Sequence, residues 1–265
     1  MNRTILTGIL ILAAAGSGAL AADKKQQQQQ AQQAEPKGPH PKSTDEAKAL
    51  QALFSAVGKP DEMIAAAENI LTKFSDTDFK DTVLFLEADA WRQKGDKEKM
   101  QIYAERTLQT NPKHYQADLM LAETIVQSTR EHDLDRDEKL AKAEKYAKDG
   151  IEAVNAAAKP NPQLTDAQWE DVKKDVVAQA NDVLGMSALQ TKKYDAAIAD
   201  FKMAVEGAAH PEPAYSVRLA SAYQQAGKND EAIAICDKLL ADPQLHPTIK
   251  QVATQVKNAA SQGKK

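Results

Sequence analysis

The chain has one cysteine, Cys236, which excludes an intramolecular disulfide and any zinc cage built from cysteines. Aromatic residues make up 5% of the 265 positions and glycines number only 11, a poor supply for the turn-rich sequences of sandwiches, barrels and propellers. Neither sign of charge dominates: 34 Lys and Arg stand against 38 Asp and Glu, for a net charge of -4, so there is no basic footprint for nucleic acid. No G-x-S-x-G, P-loop, G-x-G-x-x-G or H-E-x-x-H occurs, which removes the enzyme classes with the most specific signatures. No segment beyond the N-terminus is apolar for the roughly 20 residues that a membrane helix needs. No stretch alternates polar and apolar residues long enough to read as a strand.

What is present begins with a leader. Asn2 and Arg3 form a short basic start, Ile5 to Leu12 an apolar core extended by Ala13, Ala14 and Ala15, and Ala19-Leu20-Ala21 an A-x-A site. This pattern predicts a signal peptide over residues 1–21, cleaved before Ala22, and an exported protein of the periplasm or cell envelope. Retention of the segment as an anchor is the alternative. Residues 22–43 follow, with a glutamine run at Gln26 to Gln30 and Pro36, Pro39 and Pro41. They have little to bury and are expected to be a disordered tether.

From residue 44 the pattern is helical and alanine-rich, and it repeats. Leu184-Gly185, Ala197, Phe201 and Ala204 recur as Leu219-Ala220, Ala232, Cys236 and Leu239, with Leu184 to Leu219, Ala197 to Ala232 and Phe201 to Cys236 each spaced by 35 residues. The same template is met more loosely at Leu84, Ala88, Trp91, Gly95 and Pro112, and weakly at Leu50, Phe54, Gly58 and Ile70. One further copy, ending in Ala143, Ala147 and Gly150, fits only across an insertion around Thr129–Asp137. A period of this length means units that bury their apolar faces only against neighbours. Between the copies, Thr165 and Gln168 form a capping-box signature, and Trp169, Val172, Val176, Ala180 and Leu184 fall on one helical stripe. A helix is therefore expected to begin early, near Asp166, and to run to about Thr191.

These residues resemble the tetratricopeptide repeat family. The resemblance implies an all-α, right-handed α-solenoid of about five helix–turn–helix repeats, at about 44–77, 81–114, 115–157, 178–212 and 213–246, with a capping helix at 247–262. It also implies a concave face lined by the first helix of each repeat. Here that face would carry Asp89, Arg92 and Gln93, then Gln116, Glu123 and Gln127, then Gln179, Asp182, Met186 and Gln190, and finally Ser221, Gln224 and Gln225. The set is amide-rich and acidic, with Asp89, Glu123 and Asp182 giving a negative wall that favours basic or neutral partners.

Other candidate chemistry is weaker. Asp133, Asp135 and Asp137 alternate, with Glu144 at the twelfth position as in a calcium loop, but Glu138 occupies the sixth place, where the turn requires glycine. The reading is a solvated acidic loop. The histidines, His40, His114, His132, His210 and His246, show no i, i+4 pair for a metal. Cys236 stands at a bulky repeat position and is expected to be buried. The sequence thus predicts a non-enzymatic protein- or peptide-binding scaffold, without cofactor or metal, whose partner is a protein or peptide. The alternatives are an accessory factor in outer-membrane or cell-wall assembly, or a substrate-capturing subunit of an envelope enzyme complex.

Overall fold

The structure, a computed structural model, describes residues 38–263. The expected leader and all but the end of the expected tether lie outside the described residues. At that end the chain is already held: the His40 N–H donates to Asp78 Oδ2 at 3.4 Å, and Lys42 Nζ lies 3.2 Å from Asp76 Oδ2.

Eleven helices and no strand occur among the described residues. They are α1 (Thr44–Ser55), α2 (Pro60–Lys73), α3 (Lys80–Gln93), α4 (Lys97–Thr110), α5 (Tyr115–Ser128), α6 (Arg136–Ala156), α7 (Asp166–Gln190), α8 (Tyr194–Gly207), α9 (Pro213–Gln225), α10 (Asn229–Leu240) and α11 (Pro247–Gln262). Each packs mainly on its sequence neighbours, which is the connectivity of an α-solenoid. The chain divides into two compact units, one ending at Thr110 and the other beginning at Asn111.

The starts of the helices follow from local chemistry. Ser43 Oγ accepts from the Glu46 N–H at 3.1 Å, and Glu46 Oε2 accepts from the Lys42 N–H at 2.6 Å, so two donors at the start of α1 are satisfied. Proline stands in the first turn of α2, α9 and α11, where its missing N–H costs nothing. Thr165 and Gln168 cap α7 reciprocally, with Thr165 Oγ1 accepting from the Gln168 N–H at 3.2 Å and Gln168 Oε1 from the Thr165 N–H at 2.9 Å.

The turn inside a hairpin needs one left-handed residue. Gly95 (φ 77°) provides it after α3 and Gly227 (φ 75°) after α9, while after α7 the position falls to Lys192 (φ 59°). The residue that follows then reaches back to a carbonyl of the helix: Asp96 N–H to Trp91, Lys193 to Ala188 and Lys228 to Tyr223, at 2.9–3.0 Å. The hairpin α5–α6 has no such residue. Residues 129–135 join its helices instead, tied by Lys139 Nζ to Asp133 at 3.0 Å and to Asp135 at 2.9 Å. Asp137 and Glu144 lie on α6, and Glu144 accepts a hydrogen bond from the Ser187 hydroxyl of α7 at 2.8 Å. Asp133 and Glu144 therefore belong to separate local structures.

In the first unit, Leu50 and Leu53 of α1, Met63, Ala67 and Ile70 of α2, and Val83, Leu86 and Ala90 of α3 form one core. In the second, α6 and α7 are longer than their counterparts, and the extra lengths bury each other: Val154 and Ile151 meet Trp169, Val172 and Val176 in a cluster shared with α5. Buried apolar side chains of this size stabilise the fold by roughly 1.5–3 kcal/mol each. Farther along, Phe201 of α8 lies with Ala197, Leu219 and Ala222. Cys236 of α10 lies with Ala220, Val217 and Ala253, fully buried, and burial pushes its thiol above the ordinary value. The cysteine acts as a small hydrophobe.

Candidate interaction face

In the first unit, the expected face residues satisfy each other on one helix. Asp89 is 1% exposed. Its Oδ1 accepts from Arg92 Nε at 3.0 Å, and its Oδ2 accepts from Gln93 Nε2 at 2.7 Å. Two residues earlier, Glu87 is fully buried, and desolvation pushes its carboxyl up to about 6 against the opposing hydrogen-bonding groups of Tyr103 and Trp91. Nothing in the repeat pattern marks Glu87 as buried.

In the second unit, α7 packs against both α5 and α9, so the three first helices lie side by side. This brings Glu123, Gln179 and Asp182 together. Glu123 Oε1 accepts from Gln127 Nε2 of its own helix at 2.9 Å, and its Oε2 accepts from Gln179 Nε2 of α7 at 3.4 Å. Asp182 is 4% exposed and pairs through Oδ2 with Arg218 of α9, while its Oδ1 is buried without a partner. Desolvation pushes Asp182 up to about 6; Arg218 opposes this, and the charges of Glu123 and Glu212 add to it. Tyr215, beside them on α9, is raised by burial first and by Asp182 second.

The remaining expected residues scatter. Gln190 Nε2 donates to the Val126 carbonyl at 2.8 Å, a structural tie between α7 and α5. Met186 packs into the core clusters on both sides of α7. Gln225 Nε2 donates to Ser221 Oγ at 3.2 Å, and Gln116 and Gln224 are half-buried.

The expected negative wall is thus revised. Asp89 and Asp182 are buried against arginines, because an isolated carboxylate out of water costs too much unless a cation and donors accompany it. Glu123 alone of the three remains accessible. Arg218 and Tyr215 were missed. A signal for Arg218 existed: opposite charges about one repeat apart meet across neighbouring hairpins. Asp182–Arg218 are 36 residues apart, Asp175–His210 are 35, Lys42–Asp76 are 34 and Asp195–Lys228 are 33.

A third buried carboxylate, Asp118 of α5, is 2% exposed. Desolvation, reinforced by Asp149, raises it from 3.8 to about 7 against the opposing charge of Lys145. A folded-state value above the unfolded one means that folding takes up a proton, so this group's contribution to stability is greatest below about pH 4 and falls as pH rises towards about 7. Asp118→Asn is expected to raise stability at about pH 8 by about 2 kcal/mol after allowance for screening near the surface, and to change little at about pH 4. Urea denaturation of the two proteins at both pH values measures this.

Residues 188–256, from the end of α7 into α11, match the tetratricopeptide repeat family model. This stretch carries tetratricopeptide repeat sequence. Its fold is similar to the crystal structure of a thermophilic tetratricopeptide repeat protein of Thermus thermophilus, with a TM-score of 0.51 and 20% identity over 80% of this chain and 95% of that one. No curated protein matches the sequence. The repeat explains the geometry above, since first helices adjoin first helices one period apart. No helix among the described residues is long and apolar enough to cross a membrane.

Proposed function

We propose that the chain is a non-enzymatic, exported scaffold of the periplasm or cell envelope that binds an extended protein or peptide segment on the face of α5, α7 and α9. The observation that supports this most is the pair of amides, Gln127 and Gln179, at the accessible carboxylate of Glu123, with a further amide, Gln224, half-buried on α9. Amides offer both donors and acceptors, which suits the alternating N–H and C=O groups of an extended backbone. Export rests on the leader pattern, and an intact mass of the secreted protein beginning at Ala22 is the expected result.

Peptides selected on the full chain from a random twelve-residue library test the binding reading. The expected result is that Gln127→Arg with Gln224→Arg abolishes their binding, while Lys238→Glu on the exposed side of α10 leaves it unchanged. Peptides that bind both proteins equally would move the site off this face.

A further inference from the structure

Building on that reading of the face, we infer that Glu123 is the acceptor for a lysine or arginine side chain carried by the bound segment. An ionised carboxylate can accept about four hydrogen bonds. Glu123 has two, both from neutral amides, one on each oxygen. No lysine or arginine among the described residues forms an ion pair with it, whereas the neighbouring Asp182 has Arg218 and the equivalent carboxylate of the first unit, Asp89, has Arg92. The two amides hold Glu123 in place without neutralising it.

Its surroundings deepen the negative potential. Glu123 and Glu212 both act on Asp182 and on Tyr215, and Arg218 is the cation that opposes them. Asp182 is almost wholly buried and keeps one oxygen without a partner. Three carboxylates against one guanidinium leave this part of the face short of positive charge, and an incoming ammonium or guanidinium supplies it. A divalent metal fits less well, because each Glu123 oxygen already faces an amide donor and no group of three metal-binding side chains occurs among the described residues. An acidic or phosphorylated segment would meet repulsion.

The same field carries a pH signature. The charged and titratable groups acting on Asp182 are Glu123 on α5, Glu212 at the start of α9 and Arg218 on α9, with Tyr215 of α9 coupled to it. A cation bound at Glu123 favours ionised Asp182, so its affinity weakens as pH falls through about 6.

The test uses the full chain and pools of synthetic nonapeptides, acetylated and amidated, with random residues except at the central position, which is lysine, norleucine or glutamate. Binding is read by competition with a fluorescent peptide chosen for its loss of binding in the Gln127→Arg, Gln224→Arg protein. The lysine pool is expected to bind about fivefold tighter than the norleucine pool, with glutamate weakest. In the isosteric Glu123→Gln variant, whose thermal melt should match the parent, the lysine pool is expected to bind no tighter than the norleucine pool. Equal binding of lysine and norleucine pools overturns the inference and leaves the scaffold reading standing. A preference that survives Glu123→Gln overturns it too, as does an unacetylated norleucine pool that equals the lysine pool, since the ammonium would then be a peptide N-terminus. If no peptide reporter that depends on the face can be found, both readings fall.

Discussion

Replacing Gly185 by alanine is expected to destabilise the second unit by about 2–3 kcal/mol, although alanine is the better helix former by about 1 kcal/mol. A Cβ at this position would lie 2.6 Å from Phe201 Cδ1, 2.7 Å from Cε1 and 2.9 Å from Cγ. The ring is fully buried among Ala197, Leu219 and Ala222 and has nowhere to go. The next repeat shows how the conflict is avoided: at the same spacing Gly185 becomes Ala220 and Phe201 becomes Cys236, and these two share a core cluster. One extra methyl on the first helix accompanies a smaller side chain on the second. A double change, Gly185→Ala with Phe201→Leu, is therefore expected to be more stable than Gly185→Ala alone, although Phe201→Leu by itself is destabilising. Chemical denaturation of the four proteins gives the coupling directly, and additive effects would mean that the two positions do not share the space.

Removing the cation from Asp182 has the second large effect. Arg218→Met keeps much of the arginine's stem but leaves a buried carboxylate without its partner. Breaking a buried pair costs about 3–5 kcal/mol in general; Arg218 is partly exposed, so about 2 kcal/mol is expected at about pH 8. The pH dependence identifies the cause. Asp182 already sits at about 6 in the folded protein, above its ordinary 3.8, and loss of Arg218 pushes it higher. Its burden on stability is therefore present above the folded value and absent below the unfolded one. The variant is expected to approach the parent in stability near about pH 4, and Asp182→Asn in the same background should recover most of the loss at about pH 8. A loss independent of pH would point to lost packing by the arginine stem.

Much of the fold was legible because its determinants are local or strictly periodic. Thr165 and Gln168 announce the start of α7 by chemistry that involves only themselves. Gly95 and Gly227 mark turns that need a left-handed residue. The recurrence of Leu184, Ala197 and Phe201 after 35 residues marks two hairpins of one design, since the distance between hairpins in space is set by the length of chain in each. Lys192 was opaque for the opposite reason: it occupies a left-handed turn position without the residue type that betrays one.

The interaction face was less legible. Helical spacing says which side of α7 carries Gln179 and Asp182, but not how deep each lies, and depth decides what a carboxylate can do. Asp182 and Asp89 look like Glu123 in the sequence. Only the packing of α9 beside α7 buries Asp182 under Arg218, and only a turn of α3 folds Arg92 and Gln93 onto Asp89. The sequence by itself determined the helices, their turns and their repetition, because those depend on neighbours along the chain and on apolar periodicity. The tertiary structure alone decided which acids are neutralised internally and left Glu123 as the carboxylate of this set without a cation, because desolvation and ion pairing depend on side chains a full repeat away.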